Sequence, residues 1–151
     1  MITTKTRGRG CAVRGVRIYE MRDIVDHERG NLTVGEFAHD LPFVPQRYFV
    51  TYAIPSAQTR GEHAHKRCAQ FIICVSGRCN LAVDDGLNRV EFRLDRPSLG
   101  IYVPPMIWAT EYKHTADSAL LVFASRPYEP DDYIREYPLF RRLASPVSQP
   151  L

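Results

Sequence analysis

The run Arg60-Gly61-Glu62-His63-Ala64-His65-Lys66 brings together residue types suited to proton chemistry. Side chains two apart on a strand share a face, so His63 and His65 point together while Ala64 and Lys66 point away. Two imidazoles on one wall can ligate a metal or move protons, because histidine titrates near neutral pH. Two packed or solvated histidines without a role would give the same spacing. Removing a proton beside a ketone asks for a base with a pKa near ambient pH, and histidine begins at about 6.5. The charge that then develops on oxygen asks for aimed donors. Arg60, Tyr52 and Tyr102 are candidates for that task. His65 is taken as the main proton shuttle and His63 as its partner or as an oxygen donor, and the spacing alone allows the reverse.

These residues need a frame, and the sequence writes one in short strands. Segments 48–54, 70–75, 79–83, 90–94, 99–103 and 119–124 are aromatic, β-branched or alternating, with turn residues such as Ser76-Gly77 and Asp84-Asp85-Gly86 between them. Further strand pieces are expected at 16–19 and 31–34. Such spacing indicates an antiparallel sandwich or barrel. A helix is expected near the C-terminus, where Pro130-Asp131-Asp132 suits a first turn and Tyr133, Ile134 and Tyr137 follow on one face.

Composition fits one soluble domain. The chain has 151 residues, 44% hydrophobic and 25% charged, with a formal net charge of +3. Lys5, Arg7 and Arg9 supply much of that charge, so 1–14 is expected to be a flexible basic N-terminus, 15–143 the domain and 144–151 a loose tail. No nucleic-acid partner is expected. No apolar run reaches the roughly 20 residues that span a bilayer, and the basic start lacks a secretory apolar stretch, so a cytoplasmic protein is expected. Cys11, Cys68, Cys74 and Cys79 form no C-x-x-C pair, which leaves reduced thiols as the plain reading. No G-x-G-x-x-G fingerprint for a nicotinamide cofactor is present.

His63-x-His65, then Gln70, then Gly77 resembles the first sequence motif of the cupin superfamily, and Pro104 matches the proline of the second. Metal cupins usually carry a glutamate at the Gln70 position and a histidine at the position of Ala109. A neutral amide is a poor transition-metal ligand and alanine is none, so the site is expected to hold no metal. The longer pattern is more specific: Arg60-Gly61-x-His63-Ala64-His65-Lys66, Gln70, Ser76-Gly77, Asp84-Asp85-Gly86, Gly100-x-Tyr102-Val103-x-Pro105, Ile107-Trp108, Leu121-Val122-x-Ala124-Ser125 and Asp132-Tyr133-Ile134-Arg135-x-Tyr137. Over residues 15–140 this resembles the sugar nucleotide 3,4-ketoisomerases. The departure is Ala109, where many relatives have a histidine.

The resemblance implies an all-β, cupin-type antiparallel β-barrel (jelly roll) with a short C-terminal helix. It implies a homodimer with exchanged N-terminal strands and a dTDP-linked 4-keto-6-deoxyhexose as substrate. The carbonyl would move from C4 to C3 through an enediol with no cofactor, a histidine carrying the proton. His65, His63, Tyr52 and Arg60 are then the candidate catalytic residues, and Tyr102, Gln70, Trp108 and Lys66 the candidate substrate contacts. Each of the latter has a plainer reading. Tyr102, like Tyr52, fits a core tyrosine with a satisfied hydroxyl. Gln70 could serve a buried hydrogen bond, Trp108 could pack rather than stack on thymine, and Lys66 could be solvated rather than meet a phosphate. Rival readings are a metal-dependent cupin, a non-catalytic dTDP-sugar binding module and a 3,5-epimerase-like cupin.

Overall fold

The apolar, β-branched segments fold as strands, and tertiary pairing adds others that the sequence does not announce. The structure, a computed structural model, describes residues 7–145. In chain order the strands are β1 (Arg9–Gly10), β2 (Arg17–Glu20), β3 (Arg22–Ile24), β4 (Leu32–Val34), β5 (Arg47–Tyr52), β6 (Arg60–His65), β7 (Gln70–Ser76), β8 (Cys79–Asp84), β9 (Arg89–Leu94), β10 (Leu99–Val103), β11 (Trp108–Tyr112), β12 (Ala119–Ala124) and β13 (Tyr133–Ile134). Helix α1 (Tyr137–Ala144) follows. A six-stranded antiparallel sheet in the order β1-β2-β10-β7-β12-β5 faces a five-stranded sheet in the order β13-β6-β11-β8-β9. This is the cupin-type β fold that the strand pattern and the resemblance led us to expect.

Three apolar clusters set which way every strand faces. Ile72, Cys74, Leu81, Val83, Ile101, Ala109, Leu120 and Val122, from both sheets, form the core between them. Tyr19, Met21, Leu41 and Phe71, with Tyr102 and Phe123 against them, cover the outer side of the six-stranded sheet. Ala64, Ile134 and Phe140, with Trp108 and Tyr137, fill the space under α1 on the outer side of the five-stranded sheet. Ala64 thus faces out, and its neighbours His63 and His65 face into the barrel.

The C-terminal helix begins later than its sequence suggests. Pro130–Asp132 make one 3-10 turn, Tyr133 and Ile134 then pair with His65 and Ala64 of β6, and α1 starts at Tyr137 with Pro138 in its first turn. Strand pairing and burial of Ile134 against Phe140 outweigh the local helical pattern. Strand β5 stops at Tyr52, because Ala53 takes a φ of 55°. Strand β11 carries no alternating apolar signal, yet it lies between β6 and β8.

The folded unit also starts earlier than residue 15. β1 pairs with β2, Val13 is wholly buried, and the main-chain N–H of Arg14 donates to Asp85 Oδ2 at 2.9 Å. The basic residues around Val13 mask this apolar anchor in the sequence. Residues 1–6 and 146–151, which hold the ends of the expected flexible segments, lie outside the described residues. Among the described residues no helix is long and apolar enough to cross a membrane.

Candidate active site

Strand β6 carries both histidines inward, and a local distortion sets their positions. The register with β11 shifts between Ala109 and Thr110, so that Ala109 pairs with His63 while Thr110 pairs with Gly61. Gly61 has a φ of 80°, and a Cβ there would stand 2.9 Å from the Ala109 carbonyl oxygen. Glycine is the residue that fits both constraints. The bulge turns the Gly61 carbonyl toward His63 Nδ1, at 2.8 Å. That bond fixes the Nδ1–H tautomer and leaves Nε2 with its lone pair.

His65 is held by a carboxylate that its strand does not supply. Its Nδ1 donates to Asp132 Oδ2 at 3.0 Å, and Gln70 Nε2 lies 3.2 Å from its Nε2. Asp132 is buried, and its carboxylate also accepts the main-chain N–H groups of Arg67 at 2.7 Å and Cys68 at 3.2 Å. Burial pushes the Asp132 pKa up, but the bonds from His65, Arg67 and Cys68 outweigh it, and the group sits below the usual carboxylate range. Asp132 is therefore an anion at neutral pH.

Both imidazoles are neutral at pH 7. Burial lowers His63 to about 4, with the nearby charges of His65 and Arg135 adding to it and the Gly61 bond opposing. Burial also lowers His65, and there Asp132 works in the opposite direction through its hydrogen bond and its charge. The two rings meet edge to face, with centroids 4.9 Å apart. The Tyr133 ring lies 4.9 Å from His63 and 4.4 Å from His65, with the Arg135 guanidinium 4.4 Å from its own centroid.

The facing wall comes from β5. Phe49 packs on the inter-sheet core, so Arg47 and Thr51, two residues to either side, face inward with it. Arg47 Nε and Thr51 Oγ1 are buried without a hydrogen-bond partner. Buried donors left unpaired cost free energy, and of the two the Arg47 guanidinium lies near enough for its charge to lower the His65 pKa. Sequence reasoning missed Arg47, Thr51, Asp132 and Tyr133. No local signal marks the first two, because Tyr48, Val50 and Tyr52 on the other face of β5 are as apolar as Phe49.

The candidate residues divide accordingly. His63, His65 and Gln70 meet in one network, and Arg60 shares their sheet, pairing with Glu111 further along β11. Tyr52 does not join them: it lies on the outer face of β5 and is 71% exposed. Tyr102 packs in the outer cluster with Phe43, and Trp108 packs against Tyr137 and Phe140 under α1, both on sheet faces opposite the histidines. Their inward neighbours are Ile101 and Ala109, which strand alternation requires once those two are in the core. Lys66 is exposed in the turn after β6. The ligand atoms of His65, Cys68 and Asp132 lie within 4.8 Å of one another, a possible cation cluster, although His65 and Asp132 are already bonded together.

Comparison with known proteins places the chain in a family. The model of the family described as FdtA: WxcM-like, C-terminal matches residues 14–145. A TDP-4-oxo-6-deoxy-alpha-D-glucose-3,4-oxoisomerase of Aneurinibacillus thermoaerophilus is 32% identical over 132 residues, 87% of this chain and 94% of that protein. Among solved structures, a histidine-to-asparagine mutant of the 3,4-ketoisomerase QdtA from Thermoanaerobacterium thermosaccharolyticum, in complex with TDP-4-keto-6-deoxyglucose, superposes with a TM-score of 0.84 at 31% identity, covering 87% of this chain and 95% of that one. The WlaRB TDP-quinovose 3,4-ketoisomerase of Campylobacter jejuni gives a TM-score of 0.81 at 33% identity, over 86% and 99%.

Proposed function

The chain belongs to the FdtA family, described as WxcM-like, C-terminal, and on that premise we propose that it is a 3,4-ketoisomerase of TDP-4-keto-6-deoxyglucose. The observation that carries the reading is the neutral His65 oriented by buried, ionised Asp132 and facing the unpaired donors of β5. A carbonyl shift between adjacent carbons needs a base at C3, donors for the enediolate oxygens and a proton at C4. His65 Nε2 takes the C3 proton, and the Asp132 carboxylate stabilises the imidazolium that results. The Gln70 amide, which now sits at that nitrogen, gives way to the C3–H. Arg47, Thr51 and Arg60 then meet the charge on the oxygens, where a fixed cation or hydroxyl acts without reorganisation.

No metal and no nicotinamide enter this scheme. The amide of Gln70 and the methyl of Ala109 are unsuited to holding a transition metal, and the reaction is internally balanced in electrons. We further propose a homodimer in the cytoplasm, with N-terminal strands exchanged between subunits. Tyr48, Val50 and Tyr52 form an exposed stripe on β5, 69%, 43% and 71% accessible, of a kind that monomers seldom leave uncovered. β1, two residues long at the opposite edge of that sheet, is the element exchange would move.

The test is incubation with TDP-4-keto-6-deoxyglucose in heavy water, followed by NMR. The expected product is the 3-keto sugar with deuterium at C4. His65→Asn is expected to lower turnover by at least ~10² while TDP still binds. Unchanged substrate with wild-type protein, or a His65→Asn variant keeping more than about a third of wild-type turnover, refutes the assignment.

A further inference from the structure

The loop between β11 and β12 buries a histidine that the isomerisation does not use. His114 is 2% exposed, and neither of its ring nitrogens has a hydrogen-bond partner. The main chain of Glu111 is near enough to favour the protonated ring, yet it is not placed to bond it. Burial, with the charge of Arg60 adding to it, lowers the His114 pKa, so the ring is neutral at pH 7. A neutral imidazole still donates one N–H, and a buried donor without a partner costs free energy. The loop that carries it is fixed. Lys113 takes a φ of 53°, the Thr115 N–H donates to the Arg78 carbonyl at 3.0 Å, and the Arg78 N–H donates to Thr115 Oγ1 at 2.9 Å. These bonds tie the β11–β12 loop to the turn between β7 and β8, where a side chain at Gly77 would collide with Thr115 Oγ1.

The same loop closes one side of a surface cavity of about 530 Å³. His114 and Thr115 line it together with Arg78, Lys113, Asn80 and Arg93. The cavity opens on the outer face of the five-stranded sheet. Asn80 and Arg93 pair across β8 and β9, and their neighbours Leu81 and Leu94 fill the core, so strand alternation turns Asn80 and Arg93 outward. His63 and His65 occupy the inner face of that sheet, and the exposed stripe of β5 belongs to the other sheet. Three cations therefore gather at a place apart from both. The acids nearby answer them only in part. Glu91 accepts from Asn80 Nδ2 at 2.6 Å and feels the charge of Lys113, and Asp95 lies 3.8 Å from Arg93 Nε. Among the described residues neither Arg78 nor Lys113 forms a salt bridge.

We propose that this cavity binds a phosphoryl group, at a second ligand site that does not depend on the ketoisomerase reading. A tetrahedral oxyanion presents acceptors in several directions, and the donors here come from the β7–β8 turn, from β9 and from the β11–β12 loop. Arginine offers phosphate a planar fork of N–H groups, and lysine a compact charge. The His114 N–H adds a donor at the floor. It is already out of water, so a hydrogen bond to an anion there gains strength from the low local dielectric. Such a ligand gives the buried imidazole the partner that the protein itself does not supply. Inorganic phosphate and the terminal phosphoryl group of a nucleotide share this chemistry.

The experiment titrates the full chain with inorganic phosphate at constant ionic strength and follows the imidazole resonances by NMR. The His114 signals are expected to shift and saturate with a Kd of about 1 mM or tighter, and chloride is expected to leave them in place. The double variant Arg78→Ala/Lys113→Ala should bind phosphate at least about tenfold more weakly, with turnover of the keto-sugar within about threefold of wild type. His114→Phe keeps the bulk and removes the N–H, and should lose most of the rise in Tm that phosphate gives the wild type. If that variant does not fold, the double variant decides alone. A His114 shift that grows linearly with phosphate, a shift confined to His63 and His65, or wild-type phosphate affinity in the double variant overturns the proposal. TDP in a parallel titration separates the two sources. Saturation of the His114 shift by TDP assigns the site to a nucleotide's phosphoryl group, and saturation by phosphate alone assigns it to the free anion. Wild-type protein that binds phosphate at His114 but leaves the keto-sugar untouched refutes the ketoisomerase reading and upholds this site.

Discussion

Asp132 Oδ2 lies 3.0 Å from His65 Nδ1, across 67 residues of sequence. The contact fixes which nitrogen of His65 carries the proton and holds the other toward the cavity. An asparagine at 132 would offer an N–H to the same nitrogen and favour the opposite tautomer. Asp132→Asn is expected to lower kcat by ~10²–10⁴ with little change in KM. The acid limb of the pH–rate profile should also move to lower pH, since the imidazolium loses its counter-charge. A profile that keeps its position, with kcat reduced, would assign Asp132 a purely structural role.

Two interior groups titrate with opposite consequences for stability. His63 falls from 6.5 to about 4 on folding, so the unfolded chain binds more protons between those values and stability is lost as pH falls through them. Glu111 rises from 4.5 to about 7, so its contribution is full below 4.5 and is lost as pH rises through 7. Removing the second term alone should unmask the first. Relative to wild type, Glu111→Gln is expected to gain about 3 kcal/mol in unfolding free energy between pH 4.5 and 7. Urea titrations at both pH values check this, and a constant difference between the two proteins would contradict it.

Trp108 and Tyr102 pack on the sheet faces opposite the histidines. Trp108→Leu removes ring contacts with Tyr137 and Phe140, whose centroids lie 5.3 and 5.7 Å away. We expect a loss of about 2 kcal/mol in stability, with kcat/KM within about threefold of wild type at a temperature where the variant is folded. Tyr102→Phe should be nearly silent in both respects. A selective loss of TDP affinity in either variant would return that residue to the ligand site.

Turnover is expected to persist in excess chelator and to be unaffected by added zinc, iron or manganese at catalytic-site stoichiometry. The motive is chemical: the Gln70 amide and the Ala109 methyl do not replace a carboxylate and an imidazole as ligands. Activity that vanishes with chelator and returns with one metal would instead point to the cluster of His65, Cys68 and Asp132.

The sequence carried the barrel and its histidine wall because strand alternation is a local property. His63 and His65 share a face for the same reason that Ala64 packs under α1. It carried the donor residues poorly. Tyr52 and Tyr102 have the right chemistry on the wrong parity, and only the cluster that each strand buries decides parity: Phe49 turns Tyr52 outward, and Ile101 does the same to Tyr102. Asp132 was hidden by its context, since Pro130-Asp131-Asp132 reads as the start of a helix. Its task depends on β13 pairing with β6, a long-range event that no window of local sequence contains. Glu111 lies on a strand whose apolar alternation is weak because its inner face carries Ala109 and Glu111 themselves.

The late position of β13 has a consequence for how the protein matures. During synthesis a chain emerges from its N-terminus and folds progressively. Every strand of the two facing sheets except β13 lies before residue 125, so the histidines are in place while Asp132, Tyr133 and α1 are still to come. A nascent or truncated chain ending there would have most of the barrel and a His65 without the carboxylate that orients it. Asp132 and Tyr133 thus reach the histidine wall only after the strands that build the wall have been made.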